Sequence, residues 1–168
     1  MDSLKILKNK ILGREELPKR LQQWRSQGFR IVFTNGCFDL LHRGHVEYLS
    51  KAADKGDVLV VGLNTDASVR RLKGETRPIN KEDDRALLLA ALSMVDAVVL
   101  FAEDTPYDLI RTVHPDVLVK GADYKPEEIV GYDLVTSYGG TVEVVPLTEG
   151  YSTTSLVESG KWKVESAP

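Results

Sequence analysis

Short runs of consecutive apolar residues alternate along this chain with segments whose apolar positions recur at helical spacing. The first part, to about Gly28, reads as helical: Leu17, Leu21 and Trp24 share a face, Pro18 is tolerated in a first turn, and Gly28 is a suitable stop. Arg30 to Thr34, ending at Asn35-Gly36, reads as a buried strand. Val46, Leu49, Ala52 and Ala53 fall on one face of a helix from His45 to Asp54, and Asp57 to Leu63 is a second apolar strand. Residues 64 to 81 are polar, contain Gly74 and Pro78, and are expected as a loop or short helix. Lys81 to Met94, rich in Leu and Ala, predicts a helix, Asp96 to Phe101 a third strand, and Thr105 to Val113 another helix. Asp116 to Lys120 predicts a fourth strand, 126 to 138 a helix stopped by Gly139-Gly140, and Thr141 to Pro146 a fifth strand. A last helix starts near Ser152 or Thr153.

Strands that are apolar throughout, alternating with helices, predict the α/β class: a Rossmann-like, doubly wound parallel sheet of five strands with helices on both faces. With no repeat or linker-like tract, one domain is expected at 29–168, preceded by an N-terminal helical extension at 1–28. Sheets of this kind bind ligands outside the carboxyl ends of their strands, where strand order reverses, so the loops after the strands are where chemistry is expected.

Composition narrows the classes. The 168 residues suffice for one core, and 42% hydrophobic with 28% charged is ordinary for a globular protein. A net charge of −3 argues against a nucleic-acid partner. Cys37 is the only cysteine, so no internal disulfide forms, and no Cys/His zinc pattern exists; no resident metal is expected. The N-terminus lacks a leader-like apolar stretch and no segment is apolar enough to span a bilayer, so a cytoplasmic protein with no membrane partner is expected.

The segment Thr34-Asn-Gly-Cys-Phe-Asp-Leu-Leu-His-Arg-Gly-His45 follows the first strand and opens the next helix. His42 and His45 therefore stand at a helix N-terminus, where free N–H groups favour anions, and Gly44 between them lets a phosphate come close to the backbone. The plainer reading is a solvated pair of histidines. Against it, two of the chain's three histidines meet at this one strand-to-helix turn. Ser152, Thr153, Thr154 and Ser155 form a hydroxyl cluster at another helix start, where one hydroxyl suffices for a cap. Lys73 and Arg77, taken alone, read as solvated charges, while Lys120 ends a strand on the ligand side. His114, before Pro115, reads as structural.

The His42-Arg-Gly-His45 stretch resembles the His-x-Gly-His signature of the cytidylyltransferase-like nucleotidyltransferase superfamily. Lys120-Gly-Ala-Asp-Tyr-Lys-Pro-Glu-Glu128 and Thr148-Glu-Gly-Tyr-Ser-Thr-Thr-Ser155, with Asn64-Thr-Asp66 and Arg77-Pro-Ile-Asn80, resemble its heptose 1-phosphate adenylyltransferases, known as one half of bifunctional enzymes whose other half is a heptose kinase. The likeness runs from about residue 28 to near the end, leaving no room for the kinase, so a free-standing adenylyltransferase is expected.

The resemblance implies transfer of AMP from ATP to a sugar 1-phosphate, with Mg²⁺ carried by the nucleotide and a homodimer as the assembly. It implies catalytic roles for His42, His45, Lys73 and Lys120. Nucleotide contacts are implied for Thr34, Asn35, Gly36, Cys37, Phe38, Gly44, Gly121, Asp123, Ser152, Thr153 and Thr154. Acceptor contacts are implied for Asp39, Asn64, Asp66, Arg77 and Arg85. Asp39 and Asp66 remain open between that role and ordering or capping a helix, and Arg85 between it and a pair with Glu82. One position departs: glycerol-phosphate cytidylyltransferases carry an Arg before Thr-Glu-Gly, and here stands Leu147. That departure places a CTP-dependent enzyme acting on glycerol 3-phosphate or a similar alcohol phosphate second. A nucleotide-binding module without catalysis and a flavodoxin-like carrier are rivals from other classes.

Overall fold

The computed structural model describes residues 2–121 and 124–159. Its centre is a five-stranded, wholly parallel sheet of β1 (Ile31–Gly36), β2 (Val58–Asn64), β3 (Ala97–Phe101), β4 (Val117–Gly121) and β5 (Thr141–Val145), in the order β3-β2-β1-β4-β5. The continuous apolar runs have a simple cause. Ile31, Phe33, Val58 and Val60 enter one buried cluster, and Val32, Leu59, Val61 and Leu63 enter a second on the opposite face. Alternation along each strand places apolar residues on both faces, because helices cover both. The expected fold class is the one observed.

The helices are α1 (Ser3–Lys8), α2 (Leu17–Ser26), α3 (Arg43–Ala53), α4 (Asp66–Lys73), α5 (Glu82–Ala90), α6 (Tyr107–Val113), α7 (Tyr132–Ser137) and α8 (Thr153–Glu158). The N-terminal part is not set apart from the rest. Between α1 and α2, Leu12 N–H donates to the Val98 carbonyl at 2.9 Å and Val98 N–H to the Lys10 carbonyl at 2.8 Å, which covers the exposed edge of β3. Leu17, Leu21 and Trp24 of α2 are buried in the same cluster as Phe33 and Val113. The face of α2 that carries Trp24 is thus occupied within the chain.

Of the loop or short helix expected at 64–81, the structure has the short helix, α4, capped by Thr65, whose Oγ1 accepts from Ser68 N–H at 3.3 Å, and ended by Gly74 at φ +100°. Two elements differ from the reading of the sequence. Helix α5 stops at Ala90 rather than Met94, because tight turns from Leu92 N–H to Leu89 and from Val95 N–H to Leu92 lead the chain into β3. The helix expected at 126–138 is broken into a 3₁₀ turn, Pro126–Glu128, and α7. Ile129 takes an extended conformation that buries its side chain, and Gly131 reverses the chain at φ +92°. His114 caps α6 in the left-handed region and stacks on Tyr138, a structural role. Among the described residues no helix is long and apolar enough to cross a membrane.

Candidate active site

Strand order reverses at β1, which has β2 on one side and β4 on the other. A cleft of about 660 Å³ opens there, beyond the carboxyl ends of the strands. Its floor is the turn from Asn35 to Asp39, and its walls include His42, Gly44 and His45 of the α3 start, Lys73 and Arg77, Lys120, and residues of the β5–α8 connection.

The histidine pair is built by that turn. Phe38 takes the left-handed region at φ +44°, and its ring lies where a Cβ on Gly36 would be, 2.9 Å away. Gly36 therefore serves this ring as well as the turn. The Phe38 ring meets His45 edge-on, with centroids 5.2 Å apart. His42 is the N-cap of α3, its Nδ1 accepting from His45 N–H at 3.4 Å. The two imidazoles stack with centroids 3.8 Å apart and planes 18° apart. A Cβ on Gly44 would fall 2.8 Å from Tyr151 Cβ and 3.1 Å from the His42 ring, so this glycine admits the stacked ring and the β5–α8 connection together.

Among the described residues, His42 Nε2 and His45 Nδ1 are the buried side-chain polar atoms left without a hydrogen-bond partner. Burial, then the neighbouring His42, pushes the His45 ring down to about 4, and burial also lowers His42. Both rings are thus neutral near pH 7. With Nδ1 of His42 accepting, its proton sits on Nε2, a donor awaiting an acceptor. Two buried nitrogens without partners carry a cost that a bound anion would remove.

Lys120, at the end of β4, is lowered from the ordinary lysine range by burial, with Lys73 adding repulsion. Cys37 lies between these cations, yet burial raises its thiol, so it is no thiolate nucleophile. Among the described residues no three His, Cys, Asp or Glu side chains converge as a metal site.

Behind the cleft runs a buried polar frame. Asp39 receives Arg77 Nε at 2.6 Å and the backbone N–H groups of Ile79 and Asn80 at 2.8 and 3.0 Å. Arg85 is fully buried; its guanidinium donates to the carbonyls of Asn80, Cys37 and Asn64 at 3.0, 2.7 and 2.9 Å and to Asp66 Oδ1 at 2.7 Å. Glu82, the partner considered for Arg85, instead accepts from Asp66 N–H. This frame ties the β1 turn to the ends of β2 and the start of α5.

Most of the expected residues meet in the cleft: His42, His45, Lys73, Lys120, Asn35, Gly36, Cys37, Phe38, Gly44, Asp39, Asn64, Arg77, Ser152, Thr153 and Thr154 all line it. Ser152 caps α8 by accepting from Ser155 N–H, and the Thr153 hydroxyl donates to the Leu40 carbonyl at 3.5 Å. Four expected contacts stand elsewhere. Arg85 and Asp66 do not line the cleft and are consumed in the frame. Thr34 is buried, its hydroxyl 2.6 Å from that of Tyr48, which in turn donates to the Val119 carbonyl. Gly121 seats Leu147, whose Cδ2 lies 2.6 Å from where a Cβ would be. Asp123 lies outside the described residues. Tyr151, Tyr124 and Val130 line the cleft without having been singled out. Tyr151 had a signal, as an aromatic between Gly150 and the hydroxyl cluster, and Tyr124 had one as part of the Lys120–Glu128 stretch; Val130 had none beyond following β4.

A parallel sheet reversing at β1, with an imidazole pair and two lysines at that reversal, defines an α/β protein with a cleft suited to anions. A family model described as cytidylyltransferase-like matches residues 33–159, and the chain belongs to the cytidylyltransferase-like family. It is 58% identical over 149 residues to the bifunctional protein HldE of Wolinella succinogenes, covering 89% of this chain and 31% of that one. Against the bifunctional protein HldE of Syntrophotalea carbinolica it is 59% identical over 150 residues, covering 89% and 31%. The chain thus spans about a third of the length of these curated relatives. The crystal structure of the lipopolysaccharide core biosynthesis protein from Thermoplasma volcanium GSS1 superposes with a TM-score of 0.58 at 32% identity, over 74% of this chain and 100% of that one.

Proposed function

We propose that this chain is a cytoplasmic adenylyltransferase that transfers AMP from ATP to a sugar 1-phosphate, D-glycero-β-D-manno-heptose 1-phosphate by preference, giving ADP-heptose and pyrophosphate. The observation that carries the reading is the stacked pair His42 and His45, with two buried, unpartnered nitrogens in a cleft that also holds Lys73 and Lys120. The heptose and ATP assignments are supported by the resemblance of the 120–128 and 148–155 segments to heptose adenylyltransferases, and by the naming of the similar Thermoplasma protein for lipopolysaccharide core biosynthesis.

In this reaction an oxygen of the acceptor phosphate attacks the α-phosphorus of ATP, and the bond from that phosphorus to the bridging oxygen of the β-phosphate breaks in line. The electron pair leaves with pyrophosphate. The attacking oxygen is already anionic, so no general base is needed; alignment and charge neutralisation are the protein's work. His42 Nε2 donates to the α-phosphate, and His45 supports the charge that develops on the leaving side. Lys73 and Lys120 offset repulsion between two anionic reactants. Leu147, packed on Gly121, brings no charge, so the phosphate contact made by an Arg in glycerol-phosphate enzymes falls to the two lysines. Mg²⁺ brought by the triphosphate would supply further charge neutralisation, and a homodimer is the proposed assembly.

Incubation with each of four nucleoside triphosphates and a panel of sugar and alcohol phosphates, followed by pyrophosphate release, tests the reading. ATP with the heptose 1-phosphate is the expected productive pair. Turnover confined to CTP with glycerol 3-phosphate would replace it by the cytidylyltransferase.

A further inference from the structure

The ladder that joins β1 to β4 is short. It pairs Val32 with Val117 and Phe33 with Leu118, whereas β1 runs on to Gly36 and β4 to Gly121. Among the described residues the other ladders reach the carboxyl ends of their strands: Gly36 pairs with Leu63, Asn64 with Phe101, and Gly121 with Val145. The gap in the sheet thus lies where β1 delivers Asn35 and Gly36, and β4 delivers Lys120, to the cleft. One side chain bridges it. Tyr48 of α3 is buried, its hydroxyl oxygen stands 2.6 Å from Thr34 Oγ1, and it donates to the Val119 carbonyl at 3.3 Å. We propose that Tyr48, acting through its hydroxyl and that of Thr34, is a positioning residue for nucleotidyl transfer, which fixes Lys120 against the turn that leads to the histidine pair. The inference rests on the nucleotidyl-transfer reading above.

Connectivity argues first. Tyr48 stands about one helical turn after His45 on α3, Thr34 is followed by Asn35 and Gly36, and Val119 by Lys120. A single phenol thus joins the helix of the histidines, the β1 turn and the end of β4. Proton direction argues second. A phenol has one proton; given to the Val119 carbonyl, it leaves the oxygen free to accept from Thr34. The chain from Thr34 through Tyr48 to Val119 is therefore satisfied and closed off from water, where such chains hold their geometry best. Burial pushes the Tyr48 hydroxyl up to about 12, against the hydrogen bonds to Thr34 and the Gly121 backbone, so it stays a neutral donor. Packing argues third. A Cβ on Gly121 would fall 3.2 Å from Tyr48 Cε2, so the ring lies directly against the end of β4. Tyr48 shares its cluster with Val119 and with Phe38, whose ring meets His45 edge-on. Phenylalanine would keep this packing and lose the bridge.

Tyr48→Phe and Thr34→Val each remove one hydroxyl from the full chain with little change of shape, and Thr34→Ser retains it. Pyrophosphate release at saturating ATP and heptose 1-phosphate gives kcat, calorimetry gives the dissociation constant for ATP, and circular dichroism gives the melting midpoint. The expected result is a fall in kcat of at least about tenfold for Tyr48→Phe and for Thr34→Val, since misplacing a reacting group by about 1 Å costs up to about a hundredfold. ATP affinity stays within about twofold of the parent, and Thr34→Ser keeps the parent's kcat. Val113→Ala, in the cluster on the opposite face of the sheet, is the stability control: its midpoint falls while its kcat, measured below that midpoint, holds. A kcat near the parent's in both hydroxyl-free variants overturns the inference, and so does an equal fall of kcat in Val113→Ala. Weaker ATP binding with unchanged kcat in Thr34→Val also overturns it and makes Thr34 a nucleotide contact. Where Tyr48→Phe fails to fold, the pair Thr34→Val and Thr34→Ser decides. A parent protein that releases no pyrophosphate with any acceptor overturns the transfer reading itself, a result told apart from the others because the unaltered chain shows it.

Discussion

Replacing Arg85 by Met separates a structural hub from a ligand contact. The fully buried guanidinium makes four hydrogen bonds, to the carbonyls of Asn80, Cys37 and Asn64 and to Asp66 Oδ1. Met fills similar space and donates nothing. Three acceptors lose their donor, each worth about 1–3 kcal/mol when buried, and a carboxylate that is 23% exposed loses its cation. These terms share one side chain and do not add. Removal of one partner of a buried pair costs about 3–5 kcal/mol, and that is the expected loss. At about 2–4 °C per kcal/mol for a domain of this size, the midpoint of thermal unfolding falls by roughly 6–20 °C. Circular dichroism melts and urea titrations give the number. Lys73→Ala is the control: Lys73 is exposed on the cleft, so its loss is expected to weaken nucleotide binding with the melting midpoint held within a few degrees. A variant Arg85→Met that melts like the parent but no longer binds the acceptor would refute the hub and restore Arg85 as a contact.

Other perturbations follow from the same geometry. His45 titrates near 6.5 when unfolded and about 4 when folded, so the unfolded chain binds more protons between those values. Stability is therefore full above pH 6.5 and falls by at most about 3 kcal/mol as pH drops to 4, and His45→Gln flattens that part of the urea-derived profile relative to the parent. Anion binding raises both imidazoles toward protonation, so ATP titrations near pH 6 in buffers of different ionisation enthalpy are expected to report proton uptake; buffer-independent heats contradict neutral rings in the free protein. Ser152→Ala removes the α8 cap and costs about 1 kcal/mol of stability, whereas Thr154→Ala, which lines the cleft without capping, shifts ATP affinity and leaves the melt alone. Gly44→Ala forces a Cβ to within 2.8 Å of Tyr151 Cβ and displaces the His42 ring, so turnover falls more than ATP affinity.

The strands and the histidine turn were legible in the sequence for one reason. In a sheet covered on both faces a strand is an uninterrupted apolar run, and its following loop is where a ligand binds, so Arg30 to Thr34 announced both the strand and the place of His42 and His45. Arg85 was not legible in its true role. It stands early in a helix like any solvated arginine, and only tertiary structure brings the carbonyls of Cys37 and Asn64 to its guanidinium. The break between Pro126 and Tyr132 escaped for a similar reason: helical spacing persists through the segment, yet burying Ile129 and passing Gly131 close to Ile110 require an extended residue and a reversal. Val130 is an exposed side chain whose significance lies in the space it shares with Lys120, which no local pattern records.

The central claim is that the stacked imidazoles grip the phosphates between which the bond breaks. Pyrophosphate release by His45→Ala, measured at saturating ATP and heptose 1-phosphate beside the parent, tests it most directly. A fall in turnover of at least about a hundredfold, as loss of one preorganised donor produces, is the result predicted; turnover close to that of the parent would contradict it.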